Sequence, residues 1–159
     1  MAPHAGSESA DLFEFRRVAD GVHVAVARPA YKVNSNAAII EMGDGLLVVD
    51  SHSKPSAARI VVERLRDLTS RPVRYVVNTH FHFDHAHGNQ VFPDDVLIIG
   101  HEFTREKLSG NPLNEPSFKS FTDPVPAQVE ALRAQVAAEA DPAKKKELQE
   151  RLEVQAAYA

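Results

Sequence analysis

Asn78 to Gln90 reads NTHFHFDHAHGNQ and sets four histidines and one aspartate within eight residues. His80 and His82 are two apart, so on extended backbone their side chains leave the same face. Asp84 and His85 follow at once. Imidazole nitrogen and carboxylate oxygen are the donors that zinc-like cations accept. The run before them, Val73 to Val77 (VRYVV), reads as a strand, so the cluster is released at a strand's carboxyl end, where a metal site is expected. His80 and His82 can share one cation, and Asp84 with His85 can hold a second beside it. Two cations about 3.5–4 Å apart clamp a water and bring its pKa toward ~7, which makes a hydrolytic nucleophile. Solvated loop histidines are the alternative.

Working outward, the sequence alternates strands with helices. Phe13, Phe15 and Val18 open one strand; after the Asp20-Gly21 turn, Val22, Val24 and Val26 open a second, whose valines are expected inside and His23 outside. Asn36–Glu41 and Leu46–Asp50 form a hairpin across Met42–Gly45. Asp50 closes a buried apolar strand, so its carboxylate needs a partner. A helix follows with Ser53 as the expected N-cap, Pro55 in its first turn, and Ile60, Val61, Leu65 and Leu68 at helical spacing. Gly88–Phe92 reads as a short helical turn, Val96–Gly100 as a strand and His101–Leu108 as a short helix. This pattern predicts an α/β layer with helices covering a mixed sheet. Residues 1–10 are expected to fray and 11–110 to form the α/β unit. Residues 111–126, with four prolines, read as an irregular connection. Residues 127–159 read as a helical hairpin, broken and restarted at Asp141-Pro142.

Composition narrows the function. The 159 residues carry a net charge of −4 and lack the basic footprint of a nucleic-acid binder. Cysteine is absent, which excludes disulfides, thiolate nucleophiles and cysteine-ligated zinc. No apolar run approaches the ~18 residues of a membrane span, and the first residues lack a secretory pattern, so no membrane partner is expected and cytoplasmic is the default location. Ser51 and Ser53 lie in no G-x-S-x-G elbow, which argues against a serine hydrolase.

His80-Phe81-His82-Phe83-Asp84-His85, with Gly88 after it, resembles the H-x-H-x-D-H signature of the metallo-β-lactamase superfamily. SNAAIIE, LLVVDSH, PVRYVVNTHFHFDHAHGNQVF and VLIIGHE are together similar to a bacterial metallo-hydrolase branch with Gly-Asn after the histidines. The resemblance covers roughly residues 13–108. It implies an αββα sandwich, of which this chain holds the N-terminal half with a helical hairpin behind it. It also implies metal ligation by His80, His82, Asp84 and His85, with Asp84 orienting the attacking water. Asp50 is the implied carboxylate steadying the metal loop from behind. His52, His87 and His101 are further candidates for the pocket.

The resemblance implies a metal-dependent hydrolase that uses metal-bound hydroxide on a small-molecule ester, lactone, thioester or amide. Zinc, two ions in a complete domain, is the expected cofactor; iron suits the same donors and gives an oxidoreductase alternative. Family members take further ligands from later residues, whereas no histidine follows His101. The expectation is therefore a truncated chain. The competing reading is a catalytically incompetent half-site that binds metal or oligomerises through an exposed sheet face or the helical tail.

Overall fold

The computed structural model describes residues 12–28 and 34–158. The expected fraying of residues 1–10 lies outside the described residues. Two compact units divide between Pro112 and Leu113.

The first unit is a six-stranded mixed sheet in sequential order. β1 (Phe13–Ala19), β2 (Val22–Ala27), β3 (Ala37–Glu41) and β4 (Leu46–Val49) are antiparallel neighbours. β5 (Val73–Val77) and β6 (Leu97–Ile99) then add in parallel. The change of direction comes from α1 (Pro55–Leu68), which carries the chain from the end of β4 back to the start of β5. Gly21, at φ +67, makes the tight β1–β2 turn.

One sheet face carries the core. Ile39, Val48 and Val76 form a cross-strand row, and α1 presents buried Ala57, Val61 and Leu65 to the same cluster. On β2 the inward residues are opposite to the sequence expectation. Ala25 is buried across from Phe15, while Val22, Val24 and Val26 are half-buried. The phenylalanine rings of β1 fill the space on that face, so close packing calls for a small partner opposite them. His23 accordingly falls on the core side, at its margin, 3.3 Å from Glu41.

The helix start also differs by one residue. Lys54, extended at φ −145 and ψ 148, is the N-cap of α1 in place of Ser53. Pro55 occupies the first helical position, and a proline drives the residue before it out of helical backbone. α2 (Phe83–Ala86) and a 3-10 turn (His87–Val91) follow β5, and α3 (Glu102–Ser109) follows β6.

The second unit is helical. The stretch read as irregular contains a 3-10 turn at Pro112–Asn114 and then α4 (Pro116–Thr122). Glu115 caps α4 by accepting from the Ser117 and Phe118 amides at 2.8 and 3.3 Å. Its prolines thus mark helix starts rather than loop. α5 (Val125–Ala138) and α6 (Pro142–Ala156) form the expected hairpin, with Asp141 accepting from the Ala143 and Lys144 amides. Val125, Val129 and Leu132 are its buried apolar residues on α5, and Gln155 donates to Gln128. No helix among the described residues is long and apolar enough to cross a membrane.

Candidate metal centre

β4, β5 and β6 run parallel, so the loops leaving them gather at one edge of the sheet. The ladder extends one residue past each of the first two strands: the Asp50 amide donates to Val77 O at 2.8 Å and the Asn78 amide to Ile99 O at 2.9 Å. Beyond that point the chain after β4 turns sharply. Asp50 and His52 both hold left-handed backbone, at φ +65 and +68. Such non-glycine positions cost energy and are kept where surroundings fix them.

The loop after β5 is pressed onto this turn. The Ser51 amide donates to His85 O at 2.8 Å, and the Gly88 amide donates to His52 O at 3.1 Å. A Cβ on Gly88 would lie 1.8 Å from Ser51 O and 2.7 Å from the Ala58 Cβ, so only glycine admits this approach. Phe83 and Ala86, buried, root α2 in the protein.

These anchors bring His80, His82, Asp84 and His85 together, each half-buried. The His80 ring centroid lies 4.7 Å from that of His82 and 4.1 Å from that of His85. Asp84 Oδ2 is 3.4 Å from His85 Nε2. Asp50, buried, accepts from the Thr79 amide at 2.8 Å, from Thr79 Oγ1 at 2.9 Å and from His85 Nδ1 at 2.8 Å. Burial works against its charge, yet the His85 and Thr79 hydrogen bonds outweigh it and keep its pKa below the ordinary value. The hydrogen bond from His85 likewise lowers Asp84. The hydrogen bonds to Asp50 and Asp84 raise His85 from its ordinary value to about 9. His80 is lowered by burial and by the nearby His85 charge.

Proton accounting fixes two ring orientations. Thr79 has one hydroxyl proton and gives it to the Asp50 carboxylate, so it accepts from His80 Nδ1, 3.0 Å away. His85 Nδ1 donates to Asp50. Both rings therefore spend Nδ1 on support, and His85 keeps its Nε2 beside Asp84. This is the arrangement in which a carboxylate behind a histidine sets the tautomer of a metal ligand, and the donor set suits zinc or iron. Among the described residues no three such side chains stand in coordinating arrangement. His85 lies between the two carboxylates, its Nδ1 2.8 Å from Asp50 Oδ2 and its Nε2 3.4 Å from Asp84 Oδ2. The residues fit a cation in chemistry, with His85 Nε2 and Asp84 paired to one another.

The other candidates lie elsewhere. His52 is buried, its ring centroid 4.5 Å from that of Phe13. His87 packs against Phe83 at 6.0 Å. His101 is exposed and caps α3, its Nδ1 accepting from the Phe103 amide at 3.1 Å. Beside the cluster, Phe81 meets the His82 ring at 4.7 Å and the half-exposed Phe103 at 5.6 Å. Residue-by-residue reading missed Ser35, Asn78, Thr79 and Asn89, which hold the loop. Asn78 and Asn89 did leave a signal: two amides flank the histidines immediately after a buried apolar strand, where polar groups need partners.

Comparison with known proteins bears on the family and the fold. The metallo-beta-lactamase superfamily matches residues 30–146. A linear primary-alkylsulfatase of a Pseudomonas species is 29% identical over 82 residues, covering 50% of this chain and 16% of that protein. The probable metallo-hydrolase YqjP of Bacillus subtilis is 36% identical over 72 residues, covering 43% of this chain and 23% of that one. In structure, the mono-zinc form of the metallo-beta-lactamase FIM-1 from Pseudomonas aeruginosa aligns at TM-score 0.55 and 20% identity, over 63% of this chain and 46% of that one. The sec-alkylsulfatase Pisa1 from Pseudomonas aligns at TM-score 0.52 and 22% identity, over 64% of this chain and 17% of that one. The chain thus spans less than half the length of each of these relatives. With the family matched over more than half of its residues, the chain belongs to the metallo-beta-lactamase superfamily.

Proposed function

We propose that these residues form the metal-binding part of a metal-dependent hydrolase acting on an ester, lactone, thioester, amide or sulfate ester. His80, His82, Asp84 and His85 would hold the metal, with Asp50 behind His85. The observation that carries this reading is the His85 imidazole held by Asp50 at 2.8 Å with its Nε2 turned toward Asp84 and the His80 ring. A zinc-like cation held by these residues would supply Lewis acidity and a water of lowered pKa, ~7. The chain's own residues do the remaining work. Asp50 and Thr79 occupy Nδ1 of His85 and His80 and leave each ring its Nε2. Asp84 stays ionised at neutral pH and is a hydrogen-bond acceptor able to orient an attacking water. Sulfate esters join the substrate classes because one relative is an alkylsulfatase. The hydrolytic names of the relatives favour hydrolysis over iron-dependent oxidation.

The test is metal content per purified chain, with turnover of a panel holding a carboxylic ester, a lactone, a thioester, a β-lactam and an alkyl sulfate. The expected result is tight zinc uptake with hydrolysis of at least one class, both lost in His82→Ala. Less than one zinc per chain and no turnover would overturn catalytic competence for this chain and favour the half-site reading.

A further inference from the structure

α2 carries Asp84 and His85, yet it is one turn long and cannot satisfy its own carbonyls. In a continuing helix the Gly88 amide would donate to Asp84 O. Here that amide is spent on His52 O at 3.1 Å. Asp84 O instead accepts from the hydroxyl of Ser35, a buried residue 49 positions away in sequence. The next carbonyl, His85 O, accepts from the Ser51 amide at 2.8 Å and from Asn78 Nδ2 at 3.1 Å, with Ser51 Oγ 3.2 Å away and sharing its single proton with Asn89 Oδ1.

The groups behind these donors form closed networks. Asn78 and Asn89 exchange both amide hydrogen bonds, Asn89 Nδ2 to Asn78 Oδ1 at 2.7 Å and Asn78 Nδ2 to Asn89 Oδ1 at 3.1 Å. Ser51 Oγ lies 2.8 Å from Asn89 Oδ1. On the other side, a carbonyl can only accept, so the Ser35 proton goes to Asp84 O. Ser35 Oγ must then accept from His52 Nδ1, 3.2 Å away. That assigns the His52 proton to Nδ1 and leaves Nε2 a bare lone pair, the buried side-chain atom without a hydrogen-bond partner among the described residues. Of the two ring nitrogens of this buried histidine, only Nδ1 has a partner among the described residues, and that partner is Ser35.

We propose that Ser35, backed by His52, and the Asn78–Asn89 amide pair are positioning residues: they clamp the carbonyls of Asp84 and His85 and so set how these two side chains meet a metal. The proposal rests on the metal-site reading only for its last step. Two measurements on the full chain separate the steps. Amide exchange of residues 83–89 in metal-free protein reads the clamp itself. Zinc affinity, by competition with a chromophoric chelator, reads its effect on the site. Ser35→Ala and Asn89→Ala should each speed exchange in 83–89 about tenfold or more while β3 and β4 keep their wild-type rates. Each should also weaken zinc about 10- to 100-fold, the usual consequence of losing an outer support of a ligand. Ser35→Thr, which keeps the hydroxyl, should restore both. Unchanged exchange in both alanine variants, or exchange that rises equally throughout the sheet, overturns the proposal. So does unchanged zinc affinity in variants of a chain whose wild type binds zinc. If the wild type takes up no zinc, the metal reading falls, and loop exchange alone decides the clamp.

Discussion

The loops leaving β4 and β5 are neighbours in space and opposites in character. After β4, Asp50, Ser51, His52 and Ser53 are at most 5% exposed, and two of them hold left-handed backbone. After β5, His80, His82, Asp84 and His85 are half-buried and turned toward one another. Similar residue types serve different ends. The first loop accepts backbone strain and burial to build a rigid seat, and the second rests its donor side chains on that seat. Changes to the seat should therefore cost stability first and reach metal binding only through the loop it holds, whereas changes to the donors should cost metal binding directly.

Gly88 gives the sharpest way to break this division, because it is where the two loops touch. An alanine Cβ 1.8 Å from Ser51 O cannot be relieved by a rotamer change, so one backbone must move. Overpacking usually costs 1–3 kcal/mol, and a backbone collision belongs at or beyond the top of that range, so Gly88→Ala should lose about 3 kcal/mol or more. Equilibrium urea unfolding measures it. A loss under ~1 kcal/mol would mean that the loops are not pressed together.

The same contrast explains what could be read from the sequence. The donor loop was legible because its spacing, H-x-H-x-D-H after an apolar strand, is a local pattern with chemical meaning. Asp50 was legible because a carboxylate ending LLVVD must find a partner, and it finds Thr79 and His85. The rest of the seat was not. Ser35 acts on Asp84 across 49 residues, a pairing no local pattern encodes. His52, following a serine and preceding another, has the look of a surface loop, and only the left-handed turn at Asp50 and His52 carries it into the core. On β2 the alternation was right but its face was reversed, since the rings of β1 decide which side must be small. In residues 111–126 proline has two meanings, loop or first helical turn, and composition does not separate them: Pro116 starts a helix capped by Glu115.

His52 offers the second test. Burial first, only partly offset by the Ser35 hydrogen bond and the Asp50 charge, lowers its pKa from 6.5 to about 4, with the His85 charge adding to the lowering. The fold therefore holds it neutral, while the unfolded chain takes up a proton near 6.5. A depressed histidine contributes stability that is complete above pH 6.5 and is lost as pH falls from there toward 4. Between pH 7 and pH 5 this linkage is worth about 2 kcal/mol. His52→Asn keeps a residue tolerant of positive φ and removes the titration. It should be less stable than wild type at pH 7, yet show a stability change between pH 7 and 5 that is smaller by about 2 kcal/mol. Equal slopes for the two proteins in urea titrations would show that His52 is hydrated and not part of a dry seat.

The end of β6 supplies the smallest expected effect and asks whether all three parallel strand ends share in the site. His101 stands one residue past the corresponding position, exposed, with its Nδ1 accepting from the Phe103 amide at the start of α3. That is a helix cap, so His101→Ala should lower stability by about 1 kcal/mol or less, in the lower half of the ~0.5–2 kcal/mol range for a lost cap. Zinc affinity should stay at the wild-type value, because no contact ties His101 to Asp84 or His85 in the networks that clamp them. A tenfold loss of zinc affinity in this variant would instead place the end of β6 within the site, and the division between one seat and one donor loop would become a division among three strand ends.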